Sequence, residues 1–206
     1  MEDLLRSLIW KLAKAFRAIW QHAVSLLVRL YLRAIGVELP RSFHASSFPI
    51  CRRHRQARIV LGEGVTLRSR LSENLAGIYH KTVLVADGPG TVLEIGACVG
   101  ISGAVIYASE RITIEPYVQV GVGACIYDTD FHPLDWQARR NDDMAQVHTA
   151  PVLICQDAWI GAHAMILKGV TIGERSIIAA GSVVTCEVPA DCIFGGVPAR
   201  MIRSLK

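Results

Sequence analysis

Residues 151–185 read PVLICQDAWIGAHAMILKGVTIGERSIIAAGSVVT. Within them Ile154, Ile160, Ile166, Ile172, Ile178 and Val184 recur at a constant interval of six. That interval fits neither a helical turn nor strand alternation, and held over consecutive units it marks a repeat architecture. Two residues before each of these positions stands Val152, Ala158, Ala164, Val170, Ser176 or Ser182, compact enough to let the aliphatic side chain point inward. If each hexad is a short flat strand plus a corner, three hexads close a triangular coil. Ile154 then stacks on Ile172, Ile160 on Ile178 and Ile166 on Val184. The faces become parallel sheets with coils rising about 4.8 Å, and each buried Ile contributes about 1.5 to 3 kcal/mol. Glycines after the aliphatic position, in Ile95-Gly96, Val120-Gly121, Ile160-Gly161 and Ile172-Gly173, are expected to ease the backbone through the corners.

Upstream the same phase returns in Leu61 and Leu67, in Ile95 and Ile101, and in Ile114, Val120 and Ile126, with slips near residues 70–92 and 107–113 that mark insertions or bulges. Between Ile126 and Pro151 the beat stops in a long, polar, charged segment. A solenoid gains no core burial from such a loop, and long loops in compact domains usually carry function. Pro133 after His132, with acidic residues before it, suggests a fixed turn that presents the imidazole.

The composition agrees with an all-β solenoid. Of 206 residues, 51% are hydrophobic but only 7% aromatic, so the core is built from Ile, Val, Leu and Ala. Residues 1–58 carry a balance of +8 and residues 59–206 one of −4, within a total of +4. A basic front end on an acidic body points to a local anionic partner and argues against nucleic acid bound along its length. Six cysteines (Cys51, Cys98, Cys125, Cys155, Cys186, Cys192) show no CxxC pair, and no secretion signal is evident, so we read them as reduced thiols of a cytoplasmic protein.

Residues 1–40 read as an amphipathic helical segment and 41–206 as the solenoid domain, with an inserted loop at 127–151 and a C-terminal tail. On a helical projection Leu5, Leu8, Ile9, Leu12, Phe16, Ile19, Trp20, Ala23, Leu26, Leu27 and Leu30 share one face, opposite Ser7, Lys11, Lys14, Gln21, Ser25 and Arg29. Gly36 and Pro40 end the pattern. Charges at Lys11, Lys14, Arg17 and Arg29 rule out a spanning helix. The stripe either packs on the solenoid end or a neighbouring subunit, the commoner use of such a face, or lies on a membrane surface with Trp10 and Trp20 near the interface. His22, His44 and His54 lack ligand spacing and read as surface residues.

The chain resembles the hexapeptide-repeat O-acetyltransferases, a group that includes galactoside, maltose, nodulation-type and polysaccharide-modifying enzymes. The likeness covers about residues 57–206. It rests on the run from Ile114 to His132, on Trp159-Ile160-Gly161, on Leu167-Lys168-Gly169-Val170-Thr171-Ile172-Gly173, on Ala180-Gly181-Ser182-Val183-Val184-Thr185, and on Gly196 through Arg203. The resemblance implies a left-handed parallel β-helix, a homotrimer, and direct transfer of an acetyl group from acetyl-coenzyme A to a hydroxyl, with no metal and no acyl-enzyme cysteine. His132 would be the general base, since an imidazole accepts a proton near neutrality. Corner N–H groups would hold the oxyanion. The coenzyme would lie between adjacent solenoids, with its pantetheine arm beside Trp159, Gly161 and Ala162, backbone near Ala180 and Thr185, and phosphates near Arg200 and Arg203. Cys186 departs from the lysine frequent in the family and removes one phosphate contact. Asp130 is expected to position the acceptor or orient His132, and Arg140 to touch the acceptor.

The acceptor reads as a sugar, and the basic front helix hints at a membrane-associated one, at the inner face of the membrane. Two rivals use the same scaffold. A zinc-dependent carbonic anhydrase would need three converging histidines, and His132, His148 and His163 lack the closely spaced pair. A non-catalytic solenoid would bind a partner through its basic helix.

Overall fold

The computed structural model describes residues 2–206, with all their side chains except those of Glu2 and Leu4; Met1, where the expected helical segment begins, lies outside the described residues. Short strands joined by corners wind into a coil with three faces. The first face stacks Arg58–Leu61, Val92–Ile95, Arg111–Ile114, Val152–Ile154 and Thr171–Ile172. The second stacks His44–Ala45, Thr66–Arg68, Gly100–Ser102, Gln119–Val120, Trp159–Ile160, Ile177–Ile178 and Cys192–Gly196. The third stacks Ile50–Arg53, Val83–Ala86, Val105–Ala108, Cys125–Tyr127, Met165–Ile166 and Val183–Val184.

The register is the one that the six-residue interval requires. Ile154 lies beside Ile172, Ile160 beside Ile178 and Ile166 beside Val184. The columns continue as Leu61-Ile95-Ile114-Ile154, Leu67-Ile101-Val120-Ile160 and Leu84-Ile106-Ile126-Ile166, all buried. The slips also have structures. Residues 69–82 form an insertion with a helical turn at Leu71–Glu73, and Ser109-Glu110 make a shortened corner.

The glycines after the aliphatic position do not serve as expected. None of Gly96, Gly121, Gly161 and Gly173 takes a positive φ; instead, a Cβ on Gly161 would lie 2.6 Å from the backbone nitrogen of Ala180, and one on Gly173 2.4 Å from that of Ala190. They are present because the next coil runs too close for a side chain. Left-handed backbone at the corners falls elsewhere, on Tyr117, Asp157 and Arg175 between the first and second faces, and on Gly103, Gly123, His163 and Gly181 between the second and third.

Helix α1 (Glu2–Ala34) closes one end of the coil. Val28 and Leu32 are buried, the Ser25 hydroxyl donates to the Phe43 carbonyl (3.2 Å) and accepts from the Ala45 N–H (3.0 Å), and Gln21 donates to Glu73 (2.9 Å). These docking residues lie on the polar side of the helix. The apolar stripe does not pack on the solenoid end, contrary to the first of the expected uses: Leu5, Leu8, Ile9, Leu12, Phe16, Ile19, Trp20, Leu26, Leu27 and Leu30 are all exposed. Packing needs a residue at each contact, and Ser25, Val28 and Leu32, spaced three and four apart, supply it without the stripe. At the other end the chain turns at Val197-Pro198 and returns as Ala199–Ser204, antiparallel to Cys192–Gly196.

Candidate active site

The long loop leaves the third face through a tightly held base. Asp128 is fully buried, and its carboxylate accepts the N–H groups of Ser109 (2.7 Å) and Glu110 (2.8 Å) in the coil above. Burial pushes its pKa up, against the pull of those N–H donors. Thr129 pairs with Thr149, the Ala150 N–H donates to the Asp128 carbonyl (2.9 Å), and the Asp130 N–H donates to that of His148 (3.1 Å). These antiparallel bonds pinch the loop shut, so what lies between them is presented as a unit.

Phe131 takes a left-handed conformation (φ 63°), its N–H donating to the Thr129 hydroxyl and its ring set edge-on to Tyr107 (4.9 Å) and Tyr127 (5.1 Å). His132 follows directly. Its imidazole is exposed and meets no hydrogen-bond partner among the described residues. Pro133 is buried, and Arg139 donates to the carbonyls of Pro133 (2.7 Å) and Leu134 (2.6 Å). Asp135 caps helix α2 (Trp136–Arg140) by accepting the Ala138 N–H at 2.7 Å. His132 is thus held from both sides while its ring stays open, as a proton acceptor for a bound hydroxyl needs.

Asp130 is engaged by a residue that sequence reasoning did not assign to the site. Lys168 Nζ lies 3.0 Å from Asp130 Oδ1, both side chains being mostly covered, while Asp130 Oδ2 is buried without a partner. Lys168 occupies the corner after Met165–Ile166, one coil below the loop base, so the pairing follows from coil register. Arg140 stacks over Trp136 (4.9 Å) on the outer part of the loop.

The residues expected to hold the coenzyme mostly gather elsewhere. Gly161, Ala162 and Ala180 form a stacked ladder on the corner between the second and third faces, where glycine lets adjacent coils touch. Trp159 stands exposed beside it. Its outward column runs down the second face through Ile177 and Ile193 to Arg203, and Arg200 lies opposite Gly195 in the same hairpin. Three strand spacings place Arg203 about 14 Å from Trp159. Thr185 does not join this group. It follows Val183–Val184 and so lies on the corner between the third and first faces, with Lys168 and the base of the His132 loop. The third face therefore separates His132 from the ladder within one chain.

Beside Ala162 the structure adds a second feature that the sequence concealed. Tyr79, from the insertion at 69–82, stacks on His163 (5.7 Å, 14° between planes), with His80 edge-on at 4.6 Å. They pack over Gly123, where a Cβ would lie 2.7 Å from His163 Nδ1. The slip near 70–92 was the available signal, but it gave no hint of where the inserted residues land. Of the three histidines weighed as zinc ligands, His148 sits at the loop base near His132, and His163 on the other corner. Among the described residues no group of three His, Cys, Asp or Glu could hold a metal.

Residues 151–186 match the family model described as bacterial transferase hexapeptide, six repeats. The chain is 42% identical over 96 residues to the galactoside O-acetyltransferase of Escherichia coli (strain K12), a match covering 47% of this chain and 42% of that protein. The chain thus spans under half the length of that relative. Among solved structures, a hexapeptide-repeat acetyltransferase of Vibrio cholerae O1 biovar eltor complexed with acetyl coenzyme A superposes with a TM-score of 0.56 at 25% identity, covering 94% of this chain and 88% of that one. An N-acyltransferase variant from Bacillus cereus, in complex with dTDP-4-amino-4,6-dideoxyglucose and coenzyme A, shares the fold at 18% identity and a TM-score of 0.64, over 86% of this chain and 89% of that one. Repeat, coil and relatives agree: the chain is a left-handed β-helix of hexapeptide repeats that resembles the acetyltransferases built on that scaffold.

Proposed function

We propose that the protein is an acetyl-coenzyme A-dependent O-acetyltransferase acting on a sugar hydroxyl, with its site shared between copies of a homotrimer. The observation that carries this reading is the division of the chemistry between two corners of one chain. A braced loop offers the open imidazole of His132 on one, and a ladder of Gly161, Ala162 and Ala180 beside Trp159 and Arg203 fits an extended pantetheine arm and its phosphates on the other. A neighbouring copy set against the third face would bring the two together. In this reading residues 41–206 form the transferase domain and residues 1–40 an appendage, and the six free thiols accord with the cytoplasm.

His132 removes the acceptor proton as its oxygen attacks the thioester carbonyl. The oxyanion is held by corner N–H groups, and its collapse releases the coenzyme thiolate, which takes the proton back from the imidazolium. Asp130, fixed by Lys168, positions the loop and with Arg140 faces the acceptor; Arg200 and Arg203 bind phosphate. Sugar acceptors are supported by the galactoside name of the relative and the sugar nucleotide bound by the Bacillus enzyme.

The test is thiol release from acetyl-coenzyme A against sugars, nucleotide sugars and lipid-linked sugars, beside His132→Ala. The variant is expected to lose about 10²- to 10⁴-fold in turnover. Full turnover by His132→Ala on a real acceptor would refute the base assignment.

A further inference from the structure

Every described side chain from Asp3 to Trp20 is exposed, and the docking contacts of α1 on the coil lie further along, at Gln21, Ser25, Val28 and Leu32. With successive residues turned by about 100°, the docking residues Gln21, Ser25, Val28 and Leu32 occupy one side of the helix and Leu5, Leu8, Ile9, Leu12, Phe16, Ile19, Leu26, Leu27 and Leu30 the other. Between Leu5 and Leu30 no polar side chain interrupts this arc, which runs for about 38 Å at 1.5 Å per residue. One edge, at Phe16 and Trp20, borders a cleft whose far wall is Arg70, Ser72 and Glu73, but both aromatic side chains remain exposed.

The charges choose the occupant. Arg6 and Arg17 flank the stripe on one side and Lys11 and Arg33 on the other, with Lys14 on the far side and Arg29 turned in to the Phe43 carbonyl (3.4 Å), against acidic residues only at Glu2 and Asp3. Two copies laid stripe to stripe would bring like-charged flanks together, whereas an anionic surface meets both flanks at once. Among the described residues no helix is long and apolar enough to cross a membrane. We propose that α1 lies flat on an anionic lipid surface, its apolar stripe between the headgroups and its opposite side carrying the β-helix. This goes beyond the transfer chemistry and does not depend on it.

The full-length protein would be floated with vesicles of phosphatidylcholine alone and with vesicles containing about a third phosphatidylglycerol. Binding is expected only to the anionic vesicles, weakening as salt is raised. Phe16→Glu, which leaves Ser25, Val28 and Leu32 in place, should cut binding at least about tenfold with an unchanged melting midpoint. Lys11→Gln with Arg17→Gln, one from each flank, should weaken it in proportion to the charge lost. Failure to float with anionic vesicles, or a solution mass that drops in Phe16→Glu because the stripe joins two copies, would overturn the proposal.

Discussion

Single residues in this chain are constrained by how closely the coils approach. Because a Cβ on Gly161 would meet the backbone of Ala180 at 2.6 Å, Gly161→Ala has to spread two coils. We expect a loss of about 1 to 3 kcal/mol in denaturant unfolding, the usual cost of overpacking, together with weaker coenzyme binding by calorimetry. Asp191 shows the opposite sensitivity, to protons. Arg175 grips it at 2.6 and 2.9 Å and Lys206 at 2.7 Å, and Arg175 first and then Lys206 hold its carboxyl well below the usual range. A lowered pKa in the folded chain means that the stabilisation is complete above the unfolded value near 3.9 and is lost as pH falls below it. Asp191→Asn should therefore lower the melting midpoint at neutral pH while flattening its dependence on pH in the acid range.

At the scale of elements, the columns and the loop are the working units. Ile160 is fully buried between Val120 and Ile178, so Ile160→Ala is expected to cost about 2 to 5 kcal/mol, measured by chemical denaturation. The loop depends on the pair between Asp130 and Lys168. Lys168→Ala leaves a mostly covered carboxylate unpaired, and its transfer rate should fall further than its stability, with Lys168→Arg restoring part of the rate. The columns were legible in the sequence because a solenoid repeats its inward positions at a fixed interval, so Ile154, Ile160 and Ile166 announce their neighbours. The break around His132 was legible for the same reason. The Lys168 pairing and the stack of Tyr79 on His163 were not, since each depends on which corner an insertion or loop folds over. For α1 the periodicity gave the stripe but not its neighbour. Small contacts at Ser25, Val28 and Leu32 decide the docking, and a hydrophobicity pattern gives them little weight.

The whole molecule is the scale at which the proposed chemistry becomes complete. If His132 of one copy serves the ladder of another, His132→Ala and Arg203→Ala proteins, each weak alone, should regain measurable turnover when unfolded together and reassembled, because some mixed trimers hold one intact site. Light scattering should give three copies per particle.

The closing hairpin also governs what the β-helix can join. A stack of parallel strands ends in open N–H and C=O groups that would template another copy, and exposed edges of this kind are a route to fibres. By reversing direction at Val197-Pro198, Ala199–Ser204 covers the edge of the second face with a strand of the wrong polarity for that face to continue. The hairpin thus blocks pairing along the second face, and a chain cut before Val197 would be expected to join another copy by that bared edge, while α1 still closes the opposite end of each coil.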